Sequence, residues 1–72
     1  MLSFEERLGL MKGIESYIMY STQSNLFSRA IVCDDIIIHL HKRGKISSED
    51  FGKMMEDIAD MVAVKKEELY TI

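Results

Sequence analysis

Ala30-Ile31-Val32-Cys33-Asp34-Asp35-Ile36-Ile37-Ile38 is the most hydrophobic stretch of the chain, and two adjacent acids interrupt it. The β-branched run Ile36-Ile37-Ile38 would suit a strand. A helix suits the wider context better, because the segment continues from Asn25 to Arg43 with no turn signal inside it. At roughly 100° per residue, Leu26, Ala30, Cys33, Ile37 and Leu40 form one stripe. Phe27, Ile31 and Ile38 flank it on one side, Val32 and Ile36 on the other, and Ser28, Asp35, His39 and Lys42 make a narrow polar strip. A helix this apolar around its circumference is normally covered by neighbours on several sides. The rest of the chain should supply them.

Before this segment, Ser3-Phe4-Glu5-Glu6 reads as a capping box, in which the Ser3 hydroxyl and the Glu6 carboxylate each satisfy an orphan amide. Phe4, Leu8, Met11, Ile14 and Ile18 then recur at helical spacing. Gly9 and Gly13 lie one turn apart on another side; each costs about 1 kcal/mol relative to alanine in a helix. They form either a flat face or a weak spot held by tertiary contacts. Thr22-Gln23-Ser24-Asn25 is a polar connection, with Ser24 or Asn25 as the expected N-cap of the second helix.

After it, Gly44 is placed to take the left-handed C′ position. Ser47 caps a third helix, Glu49 and Asp50 load its first turn with negative charge, and Ile46 can staple onto Phe51. The third stripe comprises Phe51, Met54, Met55, Ile58, Met61, Val62 and Leu69. The expected fold is therefore all-α: one domain over residues 1–72, an up-down-up three-helix bundle with helices at about 3–21, 25–43 and 47–69.

The turn Gly44-Lys45-Ile46-Ser47-Ser48-Glu49-Asp50-Phe51 resembles the second half of an EF-hand loop with its exiting helix. It is equally similar to the Gly-x-Ile-Thr/Ser-x-Glu-Glu-Phe turn of SHOCT-type helical hairpins. In the EF-hand register His39, His41 and Arg43 would occupy the first, third and fifth ligand positions, where calcium requires oxygen ligands. Asp50 would also replace the usual bidentate glutamate. The resemblance thus implies a helix–turn–helix over eight residues, without calcium and without a family.

Composition narrows the function classes. A net charge of −3 and a pI near 5.2 argue against broad nucleic-acid binding. Six methionines and no proline favour helices with adaptable packing. Cys33 is the only cysteine, so no intramolecular disulfide can form and no Cys/His metal framework exists. A lone cysteine and no secretory leader point to the cytoplasm. No apolar run approaches the roughly 20 residues that span a bilayer. Asp35 and His39 sit one turn apart, yet zinc needs about three or four ligands and two are visible. Cys33 lies within the apolar stripe and has no evident cation to activate it. No catalytic triad, phosphate loop or paired-carboxylate site is present. No enzymatic activity, cofactor or metal is expected.

Three charges fall in apolar sectors: Glu15, Asp34 and Lys65. Buried charges need partners. Counting back from the turns sets Asp34 level with Lys12 and Glu15 near Arg29, which predicts interhelical pairs that fix register. The apolar positions also outnumber what three helices can cover. Ile36 and Ile38, on opposite flanks of the central helix, are accordingly candidates for an interaction surface. The expectation is a small helical protein–protein interaction module of the kind bacteria and their phages encode. It would be completed by homodimerisation and would regulate or inhibit a larger partner protein. The alternative is a DNA-associated regulator that uses the second helix, the turn and the third helix, with Lys42, Arg43 and Lys45 toward phosphates. Glu49 and Asp50 oppose that alternative.

Overall fold

Capping chemistry sets where two of the three helices begin. In the computed structural model, which describes residues 1–71, α1 spans Phe4–Met19, α2 Leu26–Lys42 and α3 Ser48–Tyr70. At the start of α1, the Glu6 amide donates to Ser3 Oγ at 3.1 Å and the Ser3 amide donates to Glu6 Oε1 at 2.9 Å. At α3 the Asp50 amide donates to Ser47 Oγ at 3.1 Å. Both serines hold extended backbone, as a cap requires.

The start of α2 differs from the expectation that Ser24 or Asn25 caps it. The Asn25 side chain makes no cap bond to the helix. Its Oδ1 is turned back and accepts from the Thr22 amide at 2.7 Å, while the Leu26 amide donates to Thr22 O at 3.0 Å. The chain therefore begins to coil one turn early, and Thr22 is satisfied by the residue three positions on. This is half of a capping box, with asparagine in place of glutamate.

The α2–α3 turn is a Schellman motif around Gly44, whose φ is 71°. The Lys45 amide donates to Leu40 O at 2.9 Å and the Gly44 amide to His41 O at 3.0 Å. Ile46 is buried directly before the Ser47 cap, where the staple places it.

The helices run up, down and up, and both ends of the bundle are tied. At one end the Gln23 side chain donates to Leu69 O at 2.6 Å, and the Tyr70 hydroxyl donates to Gln23 O at 3.4 Å. At the other, the Leu2 amide donates to Lys45 O at 2.7 Å. Arg7 closes the same end, donating to Leu2 O at 2.9 Å with its Nε 3.5 Å from Asp50 Oδ2.

Ile18, Leu26, Cys33, Ile37 and Ile58 are sealed from solvent, with Ile14, Ile46 and Met54 around them. The α2 stripe thus forms the centre of the core, and α2 and α3 share the broadest contact while α1 and α2 share the narrowest. The α1 stripe is correct only in its second half. Phe4 is 68% exposed and Leu8 44%. At their level Arg7 is half-buried and reaches across to Asp50, so the inward direction is taken by a charge.

Candidate functional site

Two neighbours cannot cover a helix as apolar as α2. Its core stripe is buried, but Phe27 and Ile31 remain exposed on the α3 side, and Val32 and Ile36 on the α1 side. Ile38 is half-buried. The outer flanks of α2 are the candidate interaction surface.

On the α1 side the two helices diverge into an open apolar groove. Gly9, Leu10, Gly13 and Tyr17 form its α1 wall, and Val32 and Ile36 its α2 wall. A β-carbon added to Gly9 or Gly13 would meet nothing within 4 Å. The glycines are therefore not required by close packing within the chain. The groove continues along α2 past Asp35, His39, Leu40 and Arg43. Asp35 and His39 are exposed and share this rim. Among the described residues no group of three or more His, Cys, Asp or Glu side chains could hold a metal ion.

On the α3 side a second shallow surface runs between Phe27, Ala30 and Asp34 of α2 and Ala59, Val62 and Lys66 of α3. The Lys66 ammonium lies 5.8 Å from the centre of the Phe27 ring. Asp34 is half-buried here, and burial, followed by repulsion from Asp35, pushes its carboxyl above the usual aspartate range. It forms no ion pair with Lys12, and Lys12 is exposed on α1. Asp34 faces the α2–α3 seam, on the side of α2 away from α1.

Glu15 does not meet Arg29 either. It is exposed and lies beside Asp60, Met61 and Val64 of α3. Arg29 is engaged elsewhere, donating to Tyr17 O at 2.8 Å with its guanidinium 4.5 Å from the centre of the Tyr17 ring. Lys65 is the one of the three charges that is buried, at 7% exposure. Its ammonium is 3.2 Å from Glu68 Oε1 on the same helix, so its partner is local and not interhelical. The long stem lies in the core stripe while the head reaches the helix edge.

Cys33 is buried at the inner edge of the groove. Burial pushes its thiol up, Asp34 adds to the shift, and Arg29 offsets part of it. A protonated, enclosed thiol is a packing group.

Lys42, Arg43 and Lys45 are all exposed around the Gly44 turn, and among the described residues none forms an ion pair. Sequence reasoning missed how the turn is braced. The His41 ring stacks on Phe51, with centroids 4.4 Å apart, and its Nε2 is 3.2 Å from Ser48 Oγ. The Arg7–Asp50 pair was also unforeseen. Neither contact has a periodic signature, because each depends on how two helices are rotated against each other. The matching heights of Arg7 and Asp50 at one end of an up-down-up bundle were the only available sign.

Among the described residues no helix is long and apolar enough to cross a membrane. Compared with known protein families, curated proteins and solved structures, the chain matches none.

Proposed function

We propose that this protein is a non-enzymatic helical interaction module. It self-associates and covers the surface of a larger protein partner, which it regulates or inhibits by occupancy, in the cytoplasm. The observation that carries this reading is the exposure of large apolar side chains on both flanks of α2: Phe27 at 52%, Ile31 at 60% and Val32 at 45%. Contiguous apolar surface at positions of this kind is typical of recognition sites. Two separate flanks allow one to serve self-association while the other meets the partner. The α3-side flank, with Phe27 and Ile31 beside the Lys66 ammonium, offers exposed apolar side chains next to a cation.

The test uses the full chain as bait in an extract of its native host, beside a variant carrying Phe27→Glu and Ile31→Glu. A stoichiometric protein retained by the first and lost by the second, with helical content unchanged, supports the reading. Equal retention by both, or no retained protein, counts against it.

A DNA-associated role for the α2–turn–α3 hairpin is the second reading, favoured by the unpaired Lys42, Arg43 and Lys45 at the turn. The exposed Glu49 in the first turn of α3 would meet the phosphates and opposes it. A salt-titrated retardation assay decides: no complex at low salt dismisses this reading.

A further inference from the structure

We infer that the face shared by α1 and α3 seats a second copy of this chain, turned about a two-fold axis normal to that face, so that α1 of each copy lies antiparallel on α3 of the other. The inference rests on the self-association in the interaction-module reading and gives it a face of its own, which leaves both flanks of α2 to the larger partner.

This face is apolar towards its ends and charged in its middle. Arg7 takes the inward direction on α1, so Phe4 and Leu8 turn onto the face, where they line a groove with Lys53 and Asp57 of α3. The groove continues between Glu15 and Met19 of α1 and Met61 and Val64 of α3. Phe4 is 68% exposed and Val64 60%. Lys12 is exposed one turn from both Leu8 and Glu15, on the same side of α1. Neither Lys12 nor Glu15 forms an ion pair among the described residues. On α3, Lys53 donates to Asp57 Oδ1 at 2.7 Å, and Oδ2 of that carboxylate takes no donor among the described residues.

Charge selects the occupant and its register. α1 and α3 run parallel, with Phe4 level with Asp50, Met11 with Asp57 and Glu15 with Met61. A two-fold axis passing between the helices at the height of Met11 and Asp57 sets Lys12 against the second copy's Asp57 and Glu15 against its Lys53. Symmetry repeats both pairs, as an isologous interface requires. Sliding the copy one turn either way sets Glu15 against Asp57 or Lys12 against Lys53, so a single register satisfies all four charges.

The apolar side chains fit the same register. Val64 of one copy enters between Phe4 and Leu8 of the other, and Leu8 also meets Met61. Asp60 comes opposite Gly9, within a turn of Lys12, and no two acids are directly opposed. The axis also lies at the middle of the groove, which runs from Phe4 to Met19 on α1 and from Asp50 to Val64 on α3, so the copy covers its whole length. The four helices then pack as an antiparallel bundle, in which the apolar ends supply affinity and the charged middle supplies register.

Sedimentation velocity and light scattering on the full chain, from micromolar to millimolar concentration, read the outcome. The wild type should dimerise. Lys12→Glu with Glu15→Lys reverses the α1 charges, Lys53→Glu with Asp57→Lys reverses those of α3, and neither changes the net charge. Each double variant should dimerise more weakly than the wild type by about tenfold or more, since its contacts join like charges. Mixed in equal amounts, the two should form a heterodimer near wild-type strength, because each reversed helix again faces its complement. Val64→Asp, at an exposed position, should give a helical monomer.

A wild-type monomer throughout overturns the inference, as does a dimer indifferent to charge reversal or to Val64→Asp, or a mixture that fails to recover. Should a charge variant fail to fold, the wild-type dimer must still weaken as salt is raised; a salt-independent dimer overturns the pairing. The variant with Phe27→Glu and Ile31→Glu should dimerise as the wild type does, and its failure to do so would move the second copy to α2 and overturn the inference. The capture experiment fails separately: a monomer that still retains a host protein defeats only the dimer, and a dimer that retains nothing defeats only the larger-partner reading.

Discussion

The ring of His41 lies on the ring of Phe51 with centroids 4.4 Å apart and planes inclined by 22°. The stack joins the last turn of α2 to the first turn of α3 across the Gly44 turn, and the 3.2 Å hydrogen bond between His41 Nε2 and Ser48 Oγ adds a polar tie. Aromatic pairs contribute about 0.5–1.5 kcal/mol beyond their burial. His41→Ala should therefore destabilise the chain by about 1–2 kcal/mol in denaturant unfolding, and His41→Phe should recover most of the loss. Equal losses in both variants would mean that the stack contributes little.

Glycine substitutions should have opposite signs at two positions. Gly13 is helical, exposed and free of neighbours, so Gly13→Ala should stabilise the fold by about 0.5–1 kcal/mol. Gly44 holds φ at 71°, a conformation that L side chains rarely adopt, so Gly44→Ala should cost about 1 kcal/mol. Thermal melts of the two variants at one pH check both.

The cap serines should show in the acid limb of stability. The Ser3 amide, then its hydroxyl, holds the Glu6 carboxyl below its ordinary range. A carboxylate with a depressed folded-state pKa contributes stability above its unfolded pKa, and that contribution is lost as pH falls through the folded value. Ser3→Ala should lower stability at neutral pH by removing the hydroxyl that accepts from the Glu6 amide, with a smaller difference once Glu6 is protonated. Carboxyl titration by NMR should move Glu6 back upward in the variant.

Asp34 should behave in the opposite sense. Its carboxyl is raised in the folded state, so folding binds the proton more readily than the unfolded chain does. Stability therefore declines as pH rises from the ordinary aspartate range through the raised value, and the penalty is fully present at neutral pH. Asp34→Asn should leave the melt at low pH unchanged and raise stability at neutral pH by about 0.5 kcal/mol or less. A fall at neutral pH would reveal a cationic partner and restore the idea that this acid fixes register.

How far the sequence carries can be seen from these residues. Helix number and order, and the boundaries at Ser3, Gly44 and Ser47, followed from local chemistry, because these residues satisfy backbone groups within a few residues of themselves; the start of α2, where Asn25 turns back to Thr22, did not. The α2 stripe followed from periodicity, since Leu26, Cys33 and Ile37 need only the helical repeat to face inward together. Partner choice was not legible. Pairing Asp34 with Lys12 or Glu15 with Arg29 requires the rotation of each helix about its own axis, and counting residues gives height alone. Arg7 illustrates the limit from the other side, holding an inward position that an unbroken stripe of Phe4, Leu8 and Met11 would have given to carbon. Of the two surface candidates on α2, Ile36 is exposed and Ile38 is half-buried.

The unequal helix contacts imply an order of disassembly. α1 meets α2 least, whereas α2 and α3 are joined broadly and braced at their turn by the His41–Phe51 stack. Segments with fewer buried contacts open at lower free energy than the rest of a domain. Amide hydrogens of α1 should accordingly exchange before those of the α2–α3 hairpin. Cys33, sealed on the side that α1 covers, acts as a built-in reporter: its labelling by a thiol reagent should keep pace with exchange in α1 and run ahead of global unfolding.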